Sequence, residues 1–200
     1  MTIKTKLTPL GKQRKPYKKD FILFESGTPG TYTIEIKSGI FELMICGAGG
    51  GGGGSATKHS WLGSNGGSGA AFKGEVKLST SSLQLTIGQG GNGGPSSGRN
   101  AGAGGNGTAS SIYQNSVNLI TTGAGNGGGG TGDGAGGNNG NGGTLTIGGL
   151  NIVSSSIQSN GVAKSAVSIL ENDFGAGGAA RGYNSGTNGQ NGYIKIQFIK

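Results

Sequence analysis

The side chains of this sequence that could do chemistry are few and scattered. His59 is the only histidine and Cys46 the only cysteine, and no cluster of acidic residues lies near either in the sequence. A catalytic triad or a zinc site needs several such groups together, and a Walker phosphate loop needs a glycine tract ending in Gly-Lys-Ser or Gly-Lys-Thr. Asp133 stands alone in "TGDGAGG", whereas calcium takes about six to eight oxygen ligands. The sequence therefore predicts a protein that is not an enzyme and uses no metal or cofactor.

Two groups of side chains are better suited to recognition. Exposed Trp, Tyr and Arg are the usual anchors of binding surfaces. The loop "KHSWLGSN" holds the only tryptophan, and "ARGY" lies inside the last long glycine tract. The alternative is that Trp61 only covers the end of a β core. The same alternative, a purely structural role, applies to Arg181 and Tyr183. The candidates for receptor contact are Lys58, His59, Trp61, Asn65, Arg181 and Tyr183.

The positive charge is concentrated at the N terminus. The chain carries a formal net charge of +8, but seven basic residues and one acidic residue fall in the first twenty positions, which leaves +2 for the rest. Nucleic-acid binding requires such charge on a face that meets phosphates, so this distribution argues against it. We expect residues 1–20 to form an extended arm that docks on other subunits of an assembly, and residues 21–200 to form a glycine-rich β domain. The residues expected to dock the arm are Lys12, Arg14, Lys15, Lys18 and Lys19.

Short apolar segments with a period of two predict strands. They are "TYTIEI", "FELMIC", "FKGEVKL", "LQLTI" and "YIKIQF", with shorter candidates in "SVNLITT", "TLTI" and "NIV". Residues 154–174 fit either a strand or a short helix. No stretch approaches the roughly 20 apolar residues of a membrane span, so we expect no insertion into a membrane.

Between the strands lie glycine tracts that are too long to be turns. Glycine disfavours an α-helix and offers no side chains to a sheet. The polyglycine II helix, with three residues per turn and no internal hydrogen bonds, remains open to it. The predicted fold is all-β, a small β-sandwich or jelly-roll-like core with glycine-rich excursions packed as polyglycine II helices. The tracts are 47–55, 63–69, 88–94, 101–107, 123–143 and 175–192.

The opening and closing phrases of residues 21–200 resemble a known family. "FESGTPGTYTIEIKSGIFELMICGAGGGGGGS", "FKGEVKLSTSSLQLTIGQGGNGG" and "NGQNGYIKIQFI" are similar, in that order, to the glycine-rich domain of bacteriophage tail-fibre and other virion proteins. Lys37 departs from the family's usual proline, and the serine-rich stretch 154–170 has no counterpart in the pattern.

The resemblance implies a structural virion protein, located at the surface or tail of a phage particle and often a homotrimer. It implies a fibre, spike or host-attachment component whose exposed loops meet a host glycan or protein. Two alternatives stay open at this stage. One is a capsid decoration or cement protein without a receptor, and the other is an ice-binding or matrix glycine-rich protein.

Overall fold

A computed structural model describes residues 19–57, 62–131, 137–163, 174–182 and 184–200. Within these ranges the chain folds as two five-stranded antiparallel sheets, ordered β1-β10-β3-β4-β9 and β2-β5-β6-β7-β8. The strands are β1 (Ile22–Ser26), β2 (Gly30–Ile36), β3 (Gly39–Cys46), β4 (Ala71–Leu78), β5 (Ser81–Ile87), β6 (Ser110–Gln114), β7 (Val117–Thr122), β8 (Leu145–Ile147), β9 (Asn151–Ser159) and β10 (Tyr193–Phe198).

The apolar alternation of the strands builds the core between the sheets. In β3, Phe41, Leu43 and Ile45 are buried while the residues between them are partly exposed. In β5 of the other sheet, Leu83 and Leu85 are fully buried, and both belong to the same apolar cluster as the β3 side chains. Two sheets whose inner faces share one core form a β-sandwich. The predicted all-β fold is therefore confirmed.

All eight strands predicted from the period of two are present. β1 and β6 were missed, because the apolar residues of "ILFES" and the Ile-Tyr pair of "SSIYQ" are consecutive and show no alternation. The serine-rich stretch after "NIV" begins as a continuation of β9, which pairs with β4 at the edge of the first sheet. Within the region 154–174, which the sequence left open between strand and helix, residues 164–173 lie outside the described residues.

Every glycine excursion leaves from and returns to the same end of the sandwich. In three antiparallel strand pairs a long glycine-rich connection joins the two strands at this end. The pairs are β3 with β4, β5 with β6, and β7 with β8. The short turns, such as Asn115–Ser116, lie at the opposite end. Lys19 and Lys200 are also at that opposite end, because Asp20 N–H donates to the carbonyl of Phe198 at 2.9 Å.

The excursions run as extended segments that we number g1 to g8. These segments lie outside the ten strands, and their backbones are hydrogen-bonded to one another. Their ranges are g1 (47–55), g2 (62–70), g3 (88–95), g4 (101–108), g5 (123–131), g6 (137–144), g7 (175–180) and g8 (184–192).

Segment g1 has three residues per turn, as its hydrogen bonds show. The amides of residues 47, 50 and 53 donate to g2, those of 48, 51 and 54 to g4, and those of 49, 52 and 55 to g8, at 2.8–3.2 Å. In each set the residue number of the acceptor falls by three each time the residue number of the donor rises by three. These three neighbours are therefore antiparallel to g1. This is the pattern of a polyglycine II helix, and nine residues span about 28 Å at ~3.1 Å each.

Six segments enclose g1 completely. Its carbonyls accept amides from g3, g5 and g7, which run parallel to it. Hydrogen bonds between successive neighbours close the ring in the order g2, g5, g4, g3, g8, g7 and back to g2, and g6 lies outside on g2 and g5. Residues 47–56 are all buried. The predicted packing of glycine tracts as polyglycine II helices is thus confirmed as a hexagonal bundle.

The spacing inside the bundle leaves no room for side chains on most of g1. A Cβ at any of the six consecutive glycines 49–54 would overlap a backbone carbonyl oxygen of g3, g5 or g7. At Gly51 the overlapping atom is the carbonyl oxygen of Asn92. Because the obstacle is backbone, no rotation of a side chain relieves it. Close approach of backbones is what glycine supplies here.

This packing predicts a position-specific response to alanine. We expect Gly51→Ala to lower the free energy of unfolding by about 3 kcal/mol or more, because a core without slack must shift to accept the methyl group. Gly182→Ala is the matched control, since among the described residues its Cβ would meet only Leu62 Cδ2, at 3.5 Å, and it should change stability by less than about 0.5 kcal/mol. Denaturant unfolding measures both, and equal losses would contradict the bundle.

Candidate functional site

Described residues of three connections between glycine segments meet at the tip of the bundle, farthest from the sandwich. Ala56 bridges Ser97, and the Thr57 amide donates to the Ser97 carbonyl at 2.8 Å. The Ser55 amide donates to the carbonyl of Asn184 at 3.1 Å. These bonds join the turn after g1, the turn after g3 and the turn before g8 in one place. We call this surface the tip; its described residues are 55–57, 62–63, 95–100 and 181–185 without 183.

Arg181 is exposed at the tip. Its carbonyl accepts the Asn184 amide at 3.3 Å, so the backbone turn is fixed while the side chain faces outward. Arg181 also borders an open groove of about 400 Å³ along g7 and g8. Leu62 is 55% exposed and lies close to Gly182, the residue that follows Arg181. A cation next to an exposed apolar side chain can contact a polar ligand and a hydrophobic surface together.

Asn65 lies within the bundle and not at the tip. Its Oδ1 accepts the Ala180 amide at 2.8 Å, and its carbonyl accepts the Gly140 amide at 3.0 Å. The side chain therefore ties g2 to g7, and its oxygen is already committed to the protein itself.

Of the remaining residues that the sequence singled out, one lies at the opposite end of the molecule and the others lie outside the described residues. Lys19 is exposed at the end of the sandwich opposite the bundle. Lys58, His59, Trp61 and Tyr183 lie outside the described residues, as do Asp133 and the arm residues Lys12, Arg14, Lys15 and Lys18.

Side chains from the antiparallel segments cap the outer amides of the parallel ones. The Gly90 and Gly93 amides of g3 donate to Oδ1 of Asn191 and Asn188 at 3.0 and 2.8 Å. The Ser96 amide next donates to Ser185 Oγ at 3.1 Å. The three acceptor residues are spaced by three, one turn of the helix. Sequence reasoning missed these residues, although their spacing in "SGTNGQNG" was the signal that could have found them.

The junction between sandwich and bundle holds an inert thiol and a fixed tyrosine. Burial raises the pKa of the Cys46 thiol to about 12, and a backbone hydrogen bond at Tyr193 opposes this only in part. Burial also raises the pKa of Tyr193, with further contributions from the hydrogen bond and charge of Glu25, whose Oε1 accepts the phenol at 2.6 Å. Tyr193 stacks on Phe174 at 4.8 Å. Both groups stay protonated at neutral pH and pack the base of g1.

The described part of the chain brings no three metal-ligating side chains of His, Cys, Asp or Glu together. Among the same residues there is no helix of the length and apolar character needed to cross a membrane. What the geometry offers is a rigid, nearly side-chain-free bundle that carries a small set of exposed groups at its far end.

The class defined by this arrangement is an all-β platform with a polyglycine II bundle at one end. The family comparison agrees: a model described as glycine-rich domain matches residues 26–198, and the chain belongs to that family. A comparison with curated proteins found no match.

The capping asparagines predict a measurable share of the stability. We expect the double variant Asn188→Ala and Asn191→Ala to lose about 2 kcal/mol, because two backbone amides lose their acceptors. Asn92→Ala with Asn139→Ala is the matched control, since both side chains are exposed and neither makes a hydrogen bond within the described residues. Denaturant unfolding of both doubles is the measurement, and a control that loses as much would refute the capping role.

Proposed function

We propose that the protein is a structural component of a phage particle, a fibre, spike or host-attachment subunit that presents the tip to the host surface. The observation that carries the proposal is the separation of the two ends of the molecule. Residue 19, which follows the basic arm, lies at one end of the sandwich, and the tip lies beyond the other. A chain held by its arm in an assembly then displays the tip outward.

The bundle is suited to that role because its rigidity does not depend on long side chains. Segment g1 is fully buried and hydrogen-bonded to six neighbours. Side-chain rotamers contribute little entropy here, so contact groups at the tip are held by a backbone lattice. A preorganised binding surface loses less freedom on association than a flexible one.

Assembly with other copies is part of the proposal. Each sheet has two edge strands, β1 and β9 in the first and β2 and β8 in the second. Edge strands present unpaired backbone groups that can pair with another chain. The resemblance to tail-fibre domains adds the expectation of a homotrimer, and the basic arm supplies contact with an acidic partner subunit.

Recognition by the tip is tested by competition for cell binding. The full chain, added to host cells before infection, should reduce adsorption of the phage. Arg181→Ala and Trp61→Ala should each weaken the competition about tenfold or more, as expected for an anchor residue. Lys77→Ala is the control for lost charge, because Lys77 is exposed in β4 far from the tip. Thermal unfolding of each variant is measured as well. Weaker competition by Trp61→Ala at an unchanged melting temperature means a lost receptor contact, whereas a lowered melting temperature means lost packing.

Two results would overturn this assignment. If Lys77→Ala weakened competition as much as Arg181→Ala, charge and not the tip would be responsible. If electron microscopy of purified particles located the protein flat on the capsid and the full chain never competed, a cement protein without a receptor would be the better description.

A further inference from the structure

The sequence holds nine Asn-Gly pairs, and all of them lie in the described residues. Eight are within the glycine segments, and Asn160–Gly161 follows β9 directly. Asparagine is one of the thermolabile residues of proteins. When glycine follows it, no side chain hinders the glycine nitrogen from attacking the asparagine Cγ, so each pair is chemically a site of spontaneous deamidation.

In eight of the nine pairs the glycine amide donates a hydrogen bond within the bundle. That N–H donates a hydrogen bond of 2.7–3.0 Å, in six pairs to a backbone carbonyl and in two to an asparagine Oδ1. Gly66, for example, donates to the carbonyl of Gly178, and Gly93 donates to Asn188 Oδ1. An amide held in this way must break its bond before it can turn toward Cγ.

Asn141–Gly142 is the exception. The Gly142 amide makes no hydrogen bond within the described residues, and the Asn141 side chain is exposed and likewise makes none there. The Asn141 carbonyl still accepts the Asn126 amide at 2.8 Å, so the residue is ordered within g6. Neighbouring Asn139 is also exposed, but the Gly140 amide that follows it donates to the Asn65 carbonyl.

We infer that Asn141 is a site of spontaneous covalent modification in the folded protein and that the bundle protects the other eight pairs. The Gly142 nitrogen forms a bond to Asn141 Cγ, the Cγ–Nδ2 bond breaks, and ammonia leaves with the proton from the Gly142 amide. Water then opens the cyclic imide at either carbonyl and gives aspartate or isoaspartate. Either product adds a negative charge to g6, and isoaspartate lengthens the backbone by one carbon within the three-residue repeat.

The test is peptide mapping by mass spectrometry after incubation of the folded full chain in mildly alkaline buffer. Asn141 should deamidate at least about tenfold faster than each of the other eight pairs, because those must first give up a hydrogen bond. Asn141→Gln should remove the early ammonia release, and Asn139→Gln, two residues earlier on the same segment, should leave it unchanged.

A parallel incubation in denaturant separates fold from sequence. There all nine pairs should react at similar rates, since the bundle is lost. The inference is overturned if, in the folded chain, Asn139 reacts as fast as Asn141, or if Asn141 stays intact while the denatured chain reacts. It is also overturned if Asn141 exceeds the other eight pairs by the same factor in denaturant as in the folded chain.

Discussion

The structure depends on hydrogen bonds between glycine backbones that approach one another without side chains between them. Segment g1 donates to three neighbours and accepts from three others, and a Cβ on most of its glycines would overlap a carbonyl oxygen. Each hydrogen bond is worth about 1 kcal/mol, which is close to the entropy of fixing one residue. The bundle therefore holds together as a lattice, and a single pair of segments in water would not.

The β-sandwich makes this lattice possible by fixing the ends of the excursions. Loop closure costs less when both ends of a segment are already anchored. The strands that border each excursion are paired in one sheet or the other, and their apolar side chains form one core. Asparagine, serine and threonine side chains then satisfy amides that the carbonyls of the bundle do not reach. The unusual composition follows from these three requirements.

Much of the fold could be predicted from the sequence. The strands with apolar residues at every second position were found, and the length of the glycine tracts excluded turns. β1 and β6 were missed because "ILFES" and "SSIYQ" lack a clear period. Which segment contacts which could not be predicted, since glycine carries no pattern and the sheet order decides the neighbours. Asn65 was expected at a binding surface for its polarity, yet its Oδ1 binds the Ala180 amide, while the three-residue spacing of Ser185, Asn188 and Asn191 was overlooked.

Hydrogen exchange of the g1 amides tests the central claim most directly. Nuclear magnetic resonance on the folded chain would follow the amides of residues 47–55 beside those of β3, which precede them in the chain. The lattice predicts that both sets exchange at similarly slow rates, because both are hydrogen-bonded and open only when the whole domain unfolds. Exchange of g1 as fast as in an unfolded peptide, with β3 still protected, would contradict it.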